Sequence, residues 1–375
     1  MITLRGGKAL TPDGLVQTDV TAAEGRLVLG AVDGSRVIDV TGTTIIPGLI
    51  DIQTNGGWGH DFTGDPESVW EVGRRLPETG VTSFVPTFVT SPYDMTERAI
   101  EVLKAGPPPG YVGAEVLGAH IEGPWISSDW RGAHNPDHLA LPDVVRAEQW
   151  AASGVVRLVT IAPELEGAEQ VAAKLDAAGV VVAAGHTGAT YEIALAALQG
   201  SWGAVTHLFN QMSQFGHREP GMVGAALTST KPCGVIVDGL HSHPGALRLA
   251  WQLLGPDRLI LVTDAMSATG LGAGTYLLGD REVIVGDNGP RTVEGKLAGS
   301  TLTMERAVAN LAAWTGATFT QAVRCATLTP ATLLKVTDRG AIRTGRKADI
   351  TVLDEDLQVV MTVASGMLAY EREAA

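Results

Sequence analysis

Five apolar runs in this 375-residue chain end in a side chain able to bind a metal or carry a proton. Val116-Leu117-Gly118-Ala119 leads through His120 to Glu122, where Gly123-Pro124 stops it, and Val180 to Ala184 leads into Gly185-His186-Thr187. Ala204-Val205-Thr206 ends at His207, Val235-Ile236-Val237 at Asp238-Gly239-Leu240-His241, and Leu259 to Thr263 at Asp264. Glu122, His186 and His207 supply one carboxylate and two imidazoles, the donor set of a catalytic divalent ion with a position left for water. A protein site can bring the pKa of water on such an ion to about 7. Taken singly, each histidine reads better as a hydrogen-bonded core residue; the trio points to metal. Asp264 follows a run with no other titratable group. It can cap a following helix or, beside an activated water, take the water's proton and pass it to a leaving group. With a metal present the second role is favoured.

Groups of this kind need strand ends to hold them. Candidate strands lie near Ile46–Gln53, Val81–Thr87, Val116–Ile121, Val156–Ile161, Val180–Ala184, Ala204–His207, Gly234–Val237 and Leu259–Thr263. Ala/Leu-rich helical stretches such as Ala168–Ala178 and Tyr191–Leu198 follow most of them. This is an α/β pattern, and about eight such units match a (β/α)8 TIM-like barrel, in which catalytic groups gather at the carboxyl ends of the strands. An open doubly wound sheet is the alternative, but Gln53-Thr54-Asn55-Gly56-Gly57 lacks the glycine spacing of a dinucleotide loop. Short β runs separated by Asp13-Gly14, Glu24-Gly25 and Asp33-Gly34 open the chain, and similar runs close it. The two ends together are expected to build a small β-sandwich domain. The boundaries read 1–46 and 340–375 for its two parts, with the barrel hydrolase domain at 47–339. Two insertions, Trp125 to about Leu141 and Leu271 to Lys296, are expected as binding walls or lids, the second a hairpin turning near Asp287-Asn288-Gly289. Trp58, Trp125 and Trp130 are candidates for the mouth of the site, Trp125 foremost, with core packing equally open to it.

Composition narrows the partners. The chain carries 27 Lys and Arg against 41 Asp and Glu, a formal charge of −14, which argues against nucleic acid and anionic membrane surfaces. Cys233 and Cys325 are too few for a disulfide framework and read as buried small apolar residues. The opening Met1-Ile2-Thr3-Leu4-Arg5 lacks a secretory apolar segment, and no run reaches the roughly 18 apolar residues of a membrane span. A cytoplasmic location is expected.

Taken in order, Pro47-Gly48-Leu49-Ile50-Asp51-Ile52-Gln53, His120-Ile121-Glu122-Gly123-Pro124, Gly185-His186-Thr187 and Thr206-His207-Leu208-Phe209-Asn210 form the first half of a motif series. Arg218-Glu219-Pro220-Gly221, Asp238-Gly239-Leu240-His241, Val262-Thr263-Asp264-Ala265 and Leu297-Ala298-Gly299-Ser300 complete it. The series resembles the N-acetylglucosamine-6-phosphate deacetylases of the amidohydrolase superfamily. Gly345-Arg346-Lys347-Ala348-Asp349-Ile350 is similar to the closing β segment of that superfamily.

The resemblance implies hydrolysis of the acetamide of N-acetylglucosamine 6-phosphate to acetate and glucosamine 6-phosphate, in amino-sugar catabolism or recycling. It implies one divalent ion per subunit on Glu122, His186 and His207, with zinc first and iron, cobalt or manganese as alternatives. Asp264 matches the general base and acid, and His134 the residue that helps polarise the amide carbonyl. Arg218 and His241 match the phosphate grip, with His243 a neighbouring candidate for the same contact; Asn210 and Gln211 match sugar-phosphate contacts. Ala133, Leu297, Ala298, Gly299 and Ser300 are placed with the substrate. A guanidinium fork suits a phosphate on so acidic a protein, although Arg218 can also pair with Glu219 on the surface. In this family the grip can draw on a neighbouring subunit, which implies a homodimer.

Two departures qualify the resemblance. Gln53 and Asn55 stand where many superfamily members carry a His-x-His pair, and Ala162-Pro163-Glu164 stands where others carry a bridging lysine. Neutral amides are poor zinc ligands and good partners for a bound water, so the site is expected to be mononuclear, with Gln53 and Asn55 around the water. Gln211 occupies a place where a small residue is expected, and its side chain is expected to narrow the sugar pocket. The rival readings are a cyclic amidohydrolase of the dihydroorotase or hydantoinase type, which usually needs the missing His pair and lysine, and a non-catalytic barrel scaffold, which the intact ligand set and Asp264 oppose.

Overall fold

The chain runs through a ring of eight parallel strands, seen in a computed structural model that describes residues 1–373. The strands are β1 (Leu49–Thr54), β2 (Val81–Val89), β3 (Ala119–Glu122), β4 (Val156–Ile161), β5 (Val181–Ala184), β6 (Ala204–Val205), β7 (Cys233–Val235) and β8 (Leu259–Leu261). Each pairs in parallel with the next. The ring closes where Thr54 bridges Ala265 and the Asp264 N–H donates to the Gln53 carbonyl at 2.9 Å. Every residue of β2 is buried, as expected of a parallel strand covered on its outer face by helices. The covering helices show the matching pattern. Tyr93–Ala105 buries Thr96, Ala99, Ile100 and Leu103 at helical spacing and leaves Asp94, Glu97, Glu101 and Lys104 in water.

The two chain ends meet in one sheet, where Ile350–Leu353 runs antiparallel to Thr44–Pro47 and pairs Ile350 with Pro47. That six-stranded sheet and a four-stranded sheet from the amino-terminal segment enclose a core of Leu4, Val20, Leu27, Ile45, Ile350, Val352 and Val363. The α/β barrel with a small sandwich from both ends is therefore present as expected. Arg339, 4% exposed, ties the two parts together. Its Nη1 donates to Ser83 Oγ in β2 at 2.7 Å, lies 3.0 Å from Glu115 Oε2, and faces Asp349 Oδ2 at 3.7 Å beside the closing strands.

The second insertion is a three-stranded meander, Gly274–Leu278, Arg281–Gly286 and Gly289–Thr292, and not the single hairpin expected. The turn at Asp287-Asn288 is where the sequence places it. The extra strand escapes notice because it is mostly exposed and follows a glycine-rich stretch with no apolar alternation. Leu278 and Val283 fasten the meander to Val89, Ala133, Met266 and Ala298. Trp125 goes to the core: it is fully buried, stacked 4.5 Å from Trp150, and donates from Nε1 to Tyr93 Oη. Among the described residues no helix is long and apolar enough to cross a membrane.

Candidate active site

The ring gathers its chemistry at the carboxyl ends of the strands. Glu122 is the last residue of β3, while His186 and His207 lie two residues beyond β5 and β6, and Asp264 three beyond β8. His186, His207 and Asp264 take positive φ values of 49°, 25° and 51°. Backbone of this kind costs a non-glycine residue roughly 1–3 kcal/mol and persists where the surroundings enforce it. It also explains why the sixth and eighth strands end earlier than the apolar runs suggest: the chain leaves the ladder so that these side chains turn inward.

Glu122 Oε1 stands 3.4 Å from His186 Nε2 and 3.1 Å from His207 Nε2, and the two Nε2 atoms are 3.0 Å apart. All three residues are buried. Burial alone would raise the Glu122 carboxyl, but the two imidazoles outweigh it and hold the group well below the ordinary carboxylate range. For His207, burial opposes the charged form and Glu122 outweighs it in turn. His186 Nδ1 donates to the Trp130 carbonyl at 2.9 Å, which turns the Nε2 lone pair toward the triad. A tetrahedral ion with ligands at 2.0–2.1 Å needs donor atoms about 3.3 Å apart; the triangle has that size, and the residues fit a divalent metal.

His134 lies in the inserted segment after β3 and is buried, 7% exposed, its ring centroid 4.5 Å from that of His186. The Thr90 backbone N–H points at His134 Nδ1 at 3.3 Å, with Thr90 Oγ1 at 2.8 Å. A backbone amide can only donate, so Nδ1 accepts and the ring proton sits on Nε2, leaving a donor for an oxygen in the site. Burial pushes the His134 pKa down to about 3, keeping the ring neutral. Asp264 heads no helix, which removes the capping role. Burial, and then the charge of Glu122, raise its carboxyl to about 6. Its Oδ1 accepts from Asn55 Nδ2 at 2.7 Å and Gln53 Nε2 at 3.3 Å, and the same Gln53 amide donates to Glu122 Oε1 at 3.1 Å. Gln53 and Asn55 therefore hold the two carboxylates directly, and Asn55 Oδ1 is buried without a protein partner.

These groups open into a cavity of about 290 Å3. Of the sequence-expected residues, Asn55, Glu122, Ala133, His134, His186, His207, Asn210, Gln211, His241, Asp264, Leu297, Ala298 and Gly299 line it. Gly132 is needed beside Gln211, because a Cβ there would lie 2.9 Å from Gln211 Cγ. Ser300 sits behind the wall, donating from Oγ to the Thr263 carbonyl and from N to the Asp264 carbonyl at 2.7 Å. Arg218 is exposed and does not line the cavity of its own chain. His241 is held by Asp238, whose Oδ2 is 2.7 Å from Nδ1; burial would raise that carboxyl, and His241 outweighs it to lower it. His243 instead caps the helix Pro244–Arg258, accepting from Gly245 N.

Sequence reasoning missed Thr90, which orients His134, and Arg291 of the meander and Lys296 just past it in the cavity wall. Lys296 stands next to Leu297 in the motif series, a signal that was available; Thr90 carries none.

A barrel with one carboxylate, two imidazoles and a buried aspartate at its strand ends defines a metal-dependent hydrolase of the amidohydrolase class. Residues 44–369 match the model of the amidohydrolase family. N-acetylglucosamine-6-phosphate deacetylase of Bos taurus is 39% identical, covering 99% of this chain and 92% of that protein. N-acetylgalactosamine-6-phosphate deacetylase of Escherichia coli O157:H7 is 34% identical, with 98% of each chain covered. Among solved structures, a Mycobacterium smegmatis N-acetyl-D-glucosamine-6-phosphate deacetylase mutant in complex with N-acetyl-D-glucosamine-6-phosphate superposes with a TM-score of 0.91, at 33% identity and over 98% of this chain and 99% of that one. The chain belongs to the amidohydrolase family and, within it, to the N-acetylglucosamine-6-phosphate deacetylases.

Proposed function

We propose that the protein hydrolyses the acetamide of N-acetyl-D-glucosamine 6-phosphate to acetate and D-glucosamine 6-phosphate, as a step in amino-sugar catabolism or recycling. The observation that carries this is the joint placement of Glu122, His186, His207, His134 and Asp264 around one cavity, in a chain of this family. Glu122, His186 and His207 would hold one divalent ion. When bound, such an ion supplies Lewis acidity, lowering the pKa of water and polarising an oxygen. Zinc suits the donor set best, with iron, cobalt and manganese as alternatives.

Asp264 takes the proton of a water whose oxygen adds to the amide carbon. It then returns that proton to the nitrogen as the carbon–nitrogen bond breaks, releasing acetate and the free amine. His134 donates from Nε2 to the amide oxygen, where negative charge develops. Asn55, through its unpartnered Oδ1, and Gln53 orient the water and keep the two carboxylates apart. Asn210, Gln211, Ala133 and Leu297 to Gly299 surround the sugar, with Ser300 supporting the Asp264 backbone. His241 meets the phosphate.

Arg218 joins His241 on the phosphate from a neighbouring subunit. Its exposed position outside its own cavity, beside Phe215 at 62% exposure, supports a homodimer in which each loop completes the other site. The chain divides near residues 46/47 and 339/340 into a two-part sandwich and the barrel, the sandwich strand running one residue past the first boundary. Only Gly48 separates the sandwich strand Thr44–Pro47 from β1. The free, buried Cys233 and Cys325 suit a reducing cytoplasm.

The epimeric N-acetylgalactosamine 6-phosphate is the second reading, because a relative of 34% identity is a deacetylase named for that sugar. Acetate release from both phosphorylated sugars and from unphosphorylated N-acetylglucosamine, with metal counted on the same sample, tests the assignment. Preference for N-acetylglucosamine 6-phosphate with about one metal per chain is expected of a three-ligand open site. No release from any of the three by metal-loaded protein would overturn it.

A further inference from the structure

Beneath the ligand triad, four buried side chains cross the inside of the barrel in a continuous hydrogen-bonded chain. Thr87 Oγ1 of β2 lies 3.1 Å from His120 Nδ1 of β3, His120 Nε2 lies 2.8 Å from Thr160 Oγ1 of β4, and Thr160 Oγ1 lies 2.7 Å from Thr206 Oγ1, just past β6. His120 is fully buried, as are Thr87 and Thr160, and Thr206 is 4% exposed. The interior of a barrel of this kind is normally filled by branched apolar side chains. A polar chain there has to satisfy each of its members or lose stability. A neutral imidazole between two hydroxyls does so, donating from one nitrogen and accepting at the other whichever way the chain runs.

The chain touches the neighbours of every proposed ligand. His120 stands two residues before Glu122 on the same face of β3, and Thr160 is the ladder partner of Glu122 in β4. Thr206 directly precedes His207. Gly185 directly precedes His186, and a Cβ on it would lie 2.8 Å from both Thr160 Cγ2 and Thr206 Cβ, so glycine alone lets that strand end rest against the chain. His120 is not itself open to a ligand. Both ring nitrogens are occupied, and the cavity it borders, about 10 Å3, is only about the size of one water.

We propose that His120 is a positioning residue: with Thr87, Thr160 and Thr206 it locks the strands carrying Glu122 and His207 in register, so that the three donor atoms stand at ligand spacing before any ion arrives. The inference rests on the reading of the triad as a metal site. Replacing His120 lets the strand ends drift apart, and the donor atoms must then be regathered by the ion, which weakens its binding and blunts catalysis after binding.

The test uses His120→Phe, which keeps a ring but joins no hydroxyls, and Thr206→Val, which keeps the shape and removes one hydroxyl. His120→Gln, whose amide restores a donor and an acceptor, is the rescue. Each full-length protein is stripped of metal, checked for folding by circular dichroism, and titrated with zinc against a chromophoric chelator. The zinc dissociation constant should rise about tenfold or more for His120→Phe, in the range seen when groups supporting metal ligands are removed. Thr206→Val should move the same way and His120→Gln should recover part of the loss. At saturating zinc, kcat should remain lowered while KM for the phosphorylated sugar stays near that of the parent. A folded variant that binds zinc as tightly as the parent overturns the proposal. If His120→Phe does not fold, the shape-preserving Thr206→Val decides alone. Failure of the parent protein itself to bind zinc or another divalent ion would instead remove the metal-site reading.

Discussion

Removing the guanidinium of Arg218 should expose how the site is assembled. Arg218 is exposed and stands outside the cavity that His241 lines, so within one chain Arg218→Ala should do little. Supplied by a partner, it would make charge-assisted contacts to the phosphate worth about 1.5–3 kcal/mol, which corresponds to a KM about 10- to 150-fold higher. Unphosphorylated N-acetylglucosamine lacks the group that Arg218 meets, and its KM should not move. The decisive assay mixes two damaged chains by co-expression, Arg218→Ala and Asp264→Asn. In a two-fold dimer the mixed species carries one site with both defects and one with neither. Random pairing makes about half of all dimers mixed, so about a quarter of the parent activity should return at low substrate. Arginine acting within its own chain gives no such recovery. Absence of recovery with mixed dimers demonstrably present, or an equal KM effect on both sugars, would refute the reasoning.

Asp264→Asn by itself should keep the metal and the substrate while losing most turnover, since the amide cannot accept the water's proton; near-parent activity by acetate assay would end the base assignment. Arg339→Met should lower the thermal midpoint, because it leaves the buried Asp349 without its facing guanidinium at the barrel–sandwich seam, while Glu115 keeps Lys347. Breaking such a buried pair costs about 3–5 kcal/mol, and an unchanged melt would show the seam is held by apolar packing alone. Asp61 supplies a pH dependence: its Oδ1 and Oδ2 accept from the N–H groups of Gly64 and Gly279, and burial raises its pKa to about 7. A folded pKa above the unfolded value means that its contribution is full at low pH and declines as pH rises from about 4 toward 7. The stability of the parent relative to Asp61→Asn should therefore fall from about pH 4 to about pH 7 and level off above it, read as denaturant midpoints; a constant gap would count against it.

The barrel, its strand count and the metal triad are legible in the sequence because each rests on local patterning. An apolar run of strand length stopped by a carboxylate, an imidazole or Gly-Pro marks a strand end whatever lies elsewhere in the chain. In a parallel barrel all such ends face one way, so Glu122, His186, His207 and Asp264 are brought together by topology alone. Tertiary structure decided what depends on partners far along the chain. His134 is buried and held in one tautomer by Thr90, 44 residues away. Gln53 meets Asp264 across 211 residues, so two neutral amides that read as water partners hold the carboxylates as well. The exposed first strand of the meander has no apolar alternation to announce it, and Arg218, in a motif that points to phosphate, stands outside its own cavity. Pattern along the chain carries the direction in which a side chain leaves a strand; which group it meets there is set by the packing of segments the sequence leaves hundreds of residues apart.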